Sequence, residues 1–321
     1  MSTISQWWMW IAFLGFIGVL LAADFFLLDG KKAHRVSPKE AFTWTIVWVS
    51  LSFLFNFLFW LTLIHHHDVA IANQKSIEFL TAYLIEKSLS TDNLFIILVI
   101  FNYFAVPAEY QRRVLLFGVI GAIVLRLLFI LSGLWLVNQF AWILYILGLF
   151  LLFTGIKMFF FAEKKPDLSK NLLWQWMQKH LRMTQGLHNE RFYIFKKGLL
   201  YFTPLFAVLV LIEIADLIFA TDSIPAVFAV TNDPFIIFTS NIFAILGLRS
   251  LYFLLAHMHN RFHLLKYGLA FILVFIGIKM LIVHWIKIPA GVGLAVVVVT
   301  LTTAILCSVY HRSHTLANIR R

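Results

Sequence analysis

Long apolar runs alternate with short polar segments along the whole chain. Each run spans roughly 20 residues or more, the length that an α-helix needs to cross the hydrocarbon core of a bilayer. The pattern predicts an all-α polytopic membrane protein with about nine transmembrane helices. We place these helices at about 7–28, 41–64, 78–104, 114–137, 141–161, 199–220, 235–256, 266–285 and 289–310.

The middle of the chain repeats itself. The segment 145–158 aligns with 267–280, both segments end in Gly-Ile-Lys-Met, and Leu125-Arg126 and Leu248-Arg249 precede their lysines at similar distances. An odd number of helices in each copy gives the copies opposite orientations, as in many secondary transporters. The prediction is one membrane transport domain over 1–321, with a first three-helix repeat at 78–161, a cytoplasmic linker at 162–198, an inverted second repeat at 199–285 and a last span at 289–310.

Composition and charge agree with this organisation. The chain is 61% apolar and 13% charged, whereas soluble domains are about 45–50% apolar and about 25% charged. Most of the Lys and Arg residues fall in loops on one side of the predicted membrane, so the positive-inside rule predicts an external N-terminus and a cytoplasmic C-terminus. The net charge of +11 therefore reflects topology and indicates no nucleic-acid partner. Residues 1–13 carry no Lys or Arg, which predicts a retained first span and no cleaved signal.

Two acidic segments interrupt the apolar pattern. Glu86 and Asp92-Asn93 lie in the third predicted span, and the second repeat has Asp216 and Asp222-Ser223 at the same spacing. An ionised acid at the middle of a membrane costs roughly 2.5–3.5 kcal/mol, so we expect these acids to be functional. We predict one cation site near the midplane, formed by Glu86, Asp92, Glu213, Asp216 and Asp222, with Asn93, Ser223, Asn241 and Asp24 as further candidates.

Helix geometry restricts how these acids can meet. Residues six apart lie about 120° apart around a regular helix, so Glu86 and Asp92 do not face the same point. Either the acids serve separate positions along a path, or the helices break near Asp92 and Asp222. Pro225 favours a break, because proline cannot donate to the helix ladder and a broken helix frees carbonyl ligands.

The ligand chemistry of the acidic segments favours a hard cation. Carboxylate, amide, hydroxyl and carbonyl oxygens suit Mg²⁺, Ca²⁺ and Mn²⁺, and neither segment contains Cys or His. The acids exceed the charge of one divalent ion, so some must be protonated or paired, which leaves room for proton coupling. The structural alternative is that they only form buried salt bridges with Lys87, Arg126 and Arg249.

Two other features stay open between a structural and a functional interpretation. Asp24 either serves as an ion ligand or reaches the interface beside Lys31 and Lys32. The run His65–His67 is either a solvated external loop or a weak collector of metal ions.

The acidic motifs resemble the TerC family of bacterial inner-membrane proteins, and most closely its Alx branch. The resemblance extends over nearly the whole chain and includes Ala23-Asp24, 101–107, 111–113, 239–249 and the two Gly-Ile-Lys-Met repeats. It implies Mn²⁺ efflux, with roles in the response to alkaline pH and in tolerance of excess metal. The family has also carried the labels tellurium resistance and membrane-bound redox modulator. The resemblance implies that its acidic motif residues are here Glu86, Asp92, Glu213, Asp216 and Asp222.

We therefore expect an inner-membrane exporter of Mn²⁺ that contacts the bilayer and uses no organic cofactor; the ligand chemistry leaves Mg²⁺ and Ca²⁺ open. A second hypothesis is a redox or stress-response component that acts through partners without transporting. The single Cys307 weighs against direct redox chemistry.

A third hypothesis is an intramembrane hydrolase with an aspartate pair. The duplicated motif with Asn93 and Ser223 fits ion coordination better, so we expect no enzymatic activity.

Overall fold

The described part of the chain is almost entirely helical, which confirms the all-α prediction. The computed structural model describes residues 6–23, 36–66, 68–140, 142–161, 172–184, 186–196, 198–258, 265–282, 285–286 and 288–319. The helices are α1 (Trp7–Ala23), α2 (Pro38–His66), α3 (Val69–Tyr103), α4 (Ala108–Gln139), α5 (Ile143–Phe161), α6 (Leu172–His180), α7 (Pro204–Phe228), α8 (Pro234–Leu246), α9 (Leu248–Met258), α10 (Leu265–Leu281) and α11 (Ala290–Ile319). Strands β1 (Tyr193–Lys196) and β2 (Leu199–Phe202) pair antiparallel.

Helix length and apolar character identify the membrane-crossing elements. Among the described residues, five stretches are long and apolar enough to span a bilayer: 38–66, 108–133, 204–228, 234–256 and 291–308. The same part of the chain has three shorter apolar helices at 7–22, 145–160 and 267–281. Helix α3 has 35 residues and is about 52 Å long, well over the roughly 30 Å of a hydrocarbon core, although it carries several polar residues. The protein is therefore a polytopic membrane protein.

Two predicted span boundaries were wrong where polar residues lie inside a helix. The third span was placed at 78–104, but α3 begins at Val69, so Lys75 lies in a helix and the α2–α3 connection is limited to 67–68. The sixth span was placed at 199–220, but residues 199–202 form β2, and α7 runs from Pro204 to Phe228. Hydropathy misplaces the ends of such helices in a prediction, because polar side chains within the helix lower the local average.

Of the two alternatives for the acidic segments, the one with helix breaks near Asp92 and Asp222 is not observed. Helix α3 continues through 92, and α7 continues through Asp222 with Pro225 inside it. The break lies at Gly247 instead, where the seventh predicted span divides into α8 and α9. The last carbonyls of a helix lack helical partners, and Lys87 Nζ donates to one of them, the Ala244 oxygen, at 3.2 Å.

Corresponding helices of the two predicted repeats pack antiparallel. Thr231 bonds to Glu78 and Asn93 bonds to Asp216, so α3 and α7 run in opposite directions. Helices α5 and α10 also run in opposite directions and come very close: a Cβ atom on Gly277 would lie 2.7 Å from the Leu152 nitrogen. Antiparallel packing of corresponding helices is expected if the two repeats insert into the membrane in opposite orientations.

Aromatic packing fixes the helices around the site. Rings from four helices form one buried cluster, in which the Phe55 and Phe243 centroids lie 4.9 Å apart and Phe13 contacts both rings. This cluster holds α8 against α1, α2 and α3. It thereby fixes the position of Asn241, two residues before Phe243.

The linker holds more structure than the sequence suggested. Its residues 162–171 lie outside the described part of the chain, and the predicted amphipathic segment forms α6, in which Met177 is buried and Trp176 is exposed. The β1–β2 hairpin follows, and Gly198 in its turn adopts φ +74°, a conformation that glycine favours.

Candidate functional site

A buried ion-pair network lies where α3, α4, α7 and α8 meet. Arg126 on α4 is 1% exposed and forms ion pairs with Glu86 of α3 and Asp216 of α7. Its Nε donates to Asp216 Oδ2 at 2.9 Å and its Nη2 to Asp216 Oδ1 at 2.7 Å. Its Nη1 donates to Glu86 and, at 3.1 Å, to Asn241 Oδ1. The guanidinium therefore joins three of the predicted site residues.

Asn93 connects this network to two small cavities. Its Nδ2 donates to Asp216 Oδ1 at 3.2 Å, and the residue lines both cavities. The first cavity is also lined by Glu213, Asp216 and Arg249, and the second by Ser90, Asp222 and Ser223. Each has a volume of about 40 Å³, enough for one to a few water molecules.

Glu213 lines the first cavity, and its side chain packs against a glycine of α4. Its carboxylate lies against Gly121 of α4, where a Cβ atom would collide with it. A Cβ atom added to Gly118, one turn earlier on α4, would lie 3.8 Å from Glu213 Oε1, which is an ordinary van der Waals contact. The absence of a side chain at Gly121 therefore makes room for this acid.

Asp222 occupies a separate position beside the second cavity. Its carboxylate lies near two polar residues of α5, Thr154 and Lys157. Six residues separate it from Asp216, so the two carboxylates are directed to different places on the intact helix. This agrees with the alternative that the acids serve separate positions along a path.

Several buried oxygen atoms of the predicted site residues have no hydrogen-bond partner among the described residues. They are Glu86 Oε2, Asn93 Oδ1, Glu213 Oε2, Asp222 Oδ1 and Ser223 Oγ. An unpaired buried polar group costs about 1–3 kcal/mol, and more when it is charged, so such a collection requires an explanation. All five are hard oxygen donors, the type that Mg²⁺, Ca²⁺ and Mn²⁺ prefer.

The described side chains do not form a single site with three or more acids. Within this part of the molecule, no group of three or more His, Cys, Asp and Glu residues is arranged to hold a metal ion. The side chain of Asp92 and all of Asp24 and His67 lie outside the described residues. Of the predicted site, Arg126 joins Glu86, Asp216 and Asn241, and Asn93 is attached to this network through Asp216. Glu213 lies at the first cavity, and Asp222 and Ser223 lie at the second.

Sequence reasoning gave Arg126 too small a role. It treated this arginine as a marker of the repeat and as a salt-bridge partner in the structural alternative, whereas the structure places it at the centre of the site. Lys87 was a candidate partner too, and it donates to a main-chain carbonyl. The available signal was an arginine within an apolar run, since a buried cation requires an anionic partner.

Glu78 was also missed, although it is only 4% exposed. Its Oε2 accepts hydrogen bonds from Lys75 Nζ at 2.8 Å and Thr231 Oγ1 at 2.7 Å, and its Oε1 accepts one from Gln74 Nε2 at 2.9 Å. These contacts attach the beginning of α3 to the α7–α8 connection. Glu78 is thus fully hydrogen-bonded, unlike the acids around Asn93.

Comparison with known proteins gives the family. Residues 71–316 match the model of the integral membrane protein TerC family. The chain is 54% identical over 297 residues to "Putative membrane-bound redox modulator Alx" of Shigella flexneri, covering 92% of this chain and 93% of that protein. It is 50% identical to the protein of that name in Salmonella typhi, covering 97% and 98%, and 43% identical to "Uncharacterized membrane protein" of Rickettsia felis, covering 95% and 98%. No solved structure matches the chain. The chain belongs to the TerC family of integral membrane proteins.

Proposed function

We propose that this protein exports divalent cations, with Mn²⁺ as the cargo, across the bacterial inner membrane. The observation that carries the proposal is the set of unpaired buried oxygens of Asn93, Glu213, Asp222 and Ser223, four residues of α3 and α7 that line the two cavities. A hard cation passing from one cavity to the other would satisfy them in turn. The two cavities contain a few polar groups in mainly apolar walls, and these groups are the ligands of the proposed path.

The geometry of α7 gives the order of the acids along this path. The positive-inside rule, applied to the basic loops, predicts that the Pro204 end of α7 and the C-terminus face the cytoplasm and that the N-terminus faces the periplasm. Glu213 is therefore the acid of α7 nearest the cytoplasm, and Asp222 lies about 13 Å further along the helix axis. A cation leaving the cell would meet Glu213 first, then Asp216 with Glu86, and finally Asp222.

The negative charge of the path must be balanced when no cargo is bound. Arg126 compensates part of the charge of Glu86 and Asp216. Arg126 forms no ion pair with Glu213 or Asp222, and proton binding at these two acids is the second way to balance the charge. Proton-coupled export is therefore part of the proposal.

Asp222 and Glu213 are better probes of transport than Asp216. Asp216 holds Arg126, so its removal also disturbs a buried ion pair. Asp222→Asn and Glu213→Gln change charge with almost no change in shape. Asp68→Asn is a matched control, because Asp68 is an exposed carboxylate before α3 that makes no capping hydrogen bond.

The test is Mn²⁺ transport by the purified full-length protein in liposomes that contain a Mn²⁺-sensitive dye. We expect transport by the wild type and Asp68→Asn, and at least a tenfold lower rate for Asp222→Asn and Glu213→Gln at equal protein incorporation. Competition by Mg²⁺ and Ca²⁺ measures the selectivity. Equal rates in all four proteins, or no transport by wild type, would contradict the proposal.

The same experiment separates transport from a role that depends on partners. The name of the Shigella and Salmonella relatives refers to redox modulation. One cysteine cannot form an intramolecular disulfide, so a thiol–disulfide cycle would need a second molecule. Liposomes contain no such partner, so transport in them would establish that export is a property of this chain alone.

A further inference from the structure

Arg126 makes an unusually complete set of contacts for a cation within a membrane. It binds Asp216 through two parallel hydrogen bonds, and charge-assisted bidentate pairs of this kind are among the strongest hydrogen-bonded contacts in proteins. It also bonds Glu86 and Asn241. Other cations of the protein are bound differently: Lys87 donates to a main-chain carbonyl, and Arg113 pairs with Glu190 at a partly exposed position.

Arg126 occupies the ligand positions that a metal ion would need. Both oxygens of Asp216 accept its hydrogen bonds, and Asp216 Oδ1 accepts a third from Asn93. A divalent cation bound to Asp216 would stand a few ångströms from the guanidinium, and like charges at such distances repel strongly in a weakly polar interior. Full coordination by Asp216 and continued contact with Arg126 are therefore incompatible.

Glu86 provides a place where the exchange can begin. One of its oxygens accepts from Arg126 and, at 3.3 Å, from Ser90, while Oε2 has no hydrogen-bond partner among the described residues. An entering cation can bind that second oxygen while Arg126 still holds the first. Displacement of the arginine can thus proceed stepwise, without leaving both carboxylates uncompensated.

We propose that Arg126 is a tethered counter-cation, which holds Glu86 and Asp216 when no cargo is present, is displaced when the cargo binds, and returns to expel it. This inference rests on the proposed function and adds to it the reason why tight binding does not prevent release. The arginine competes with the cargo for the same carboxylates. Its return lowers the affinity of the site when the ion must leave.

The test measures Mn²⁺ affinity and turnover separately. Mn²⁺ binding to the full-length protein in detergent is measured by calorimetry, and KM and kcat are measured in liposomes. The variants are Arg126→Gln, which removes the charge, and Arg126→Lys, which keeps it but cannot make the bidentate bond. Arg113→Gln is the matched control, because it removes an arginine from the same helix at the partly exposed Glu190 pair.

We expect Arg126→Gln to bind Mn²⁺ about tenfold tighter than wild type or more, with a lower KM and a lower kcat, because the competitor is gone and nothing expels the ion. Arg126→Lys should lie between the two, and Arg113→Gln should match wild type. A purely structural role for Arg126 predicts weaker binding in both Arg126 variants. Equal or weaker binding by Arg126→Gln overturns the inference, and so does tighter binding with an unchanged or higher kcat.

Three further outcomes are decisive. If Arg126→Gln does not fold, Arg126→Lys decides: tighter binding than wild type supports the tethered counter-cation, and equal or weaker binding overturns it. If the wild type neither binds nor transports Mn²⁺, the proposed function fails and this inference fails with it. Wild-type transport without tighter binding in the variants rejects this inference alone.

Discussion

The α5–α10 contact and the α3–α7 contact both join the two predicted repeats through antiparallel helices, but they are built in opposite ways. At α5–α10, glycines allow the two backbones to touch: a Cβ atom on Gly277 would lie 2.8 Å from the Gly148 oxygen, and one on Gly155 would lie 2.9 Å from the Ala270 oxygen. At α3–α7, hydrogen bonds and ion pairs connect the helices, and several buried oxygens remain unpaired.

This difference divides the molecule into two parts. We call the glycine contact between α5 and α10 the scaffold, and the polar groups that connect α3 and α7 around Arg126 the working part. Close packing of small residues is a main source of helix association in membranes, where lipid tails are as apolar as the side chains. Helices packed this closely fit together in one arrangement, so they resist sliding past each other. A network of charges with unpaired acceptors can instead rearrange when a cation enters. We infer that α5–α10 stays fixed while the groups around Arg126 exchange partners.

The largest expected effect is a loss of stability when the ion pair between Arg126 and Asp216 is broken. Asp216→Ala removes one of the two carboxylates that compensate the buried Arg126 and takes away the acceptors of its Nε and Nη2. Removing one partner of a buried pair costs about 3–5 kcal/mol. Glu190→Ala breaks the partly exposed pair with Arg113 on the same helix, for which the expected cost is about 0–1 kcal/mol. Melting temperatures in detergent measure both. Similar decreases in the two variants would show that the buried network contributes no more than a surface pair.

The second effect concerns the scaffold. A Cβ atom at Gly277 would meet the backbone of α5, which cannot move aside like a flexible side chain, so Gly277→Ala should cost about 1–3 kcal/mol. Gly18→Ala on α1 is the control, since nothing lies within 4 Å of its added Cβ and alanine favours a helix. Melting temperature should fall only for Gly277→Ala.

The same variant also tests whether the scaffold is separate from the working part. The fraction of Gly277→Ala that remains folded should bind Mn²⁺ with wild-type affinity. A large change in affinity would show that the glycine contact takes part in forming the site, and the distinction between the two regions would then fail.

The sequence predicted the helical membrane fold and the identity of the acidic motifs, because apolar runs and buried charges are local signals. It did not predict where α7 begins and ends, since Glu213, Asp216 and Asp222 reduce the hydropathy of a helix that is nonetheless continuous. Pro225 is a local breaker signal and favoured the alternative of a helix break at the acids, but α7 continues through Pro225. Tertiary packing overrode the local preference in both cases.

The role of Arg126 could not be read from its position in the chain. The residues that it binds are 40, 90 and 115 positions away, and only the fold brings them together. The same holds for the Gly247 break, where Lys87 reaches a carbonyl 157 positions away. Spacing within a motif shows which residue types are available, but partners on other helices decide which of them pair and which remain free to bind a cation.

The smallest expected effect is on the first cavity, and it concerns affinity more than stability. In Gly121→Ala, the new Cβ would displace the Glu213 carboxylate, which is the flexible end of a side chain and can move at little cost in stability. Moving a ligand that lies first on the proposed path should weaken Mn²⁺ binding by about tenfold, the lower end of what displaced metal-site groups cost.

Gly118→Ala on the same helix is a close control for this change. Its Cβ would stand 3.8 Å from Glu213 Oε1, an ordinary contact, so it adds the same methyl group without moving the carboxylate. Calorimetric Mn²⁺ binding should therefore weaken in Gly121→Ala and stay at the wild-type value in Gly118→Ala. Equal affinities in both variants would mean that Glu213 takes no part in holding the cation, and the working part would then consist of the groups around Arg126 and Asp222 alone.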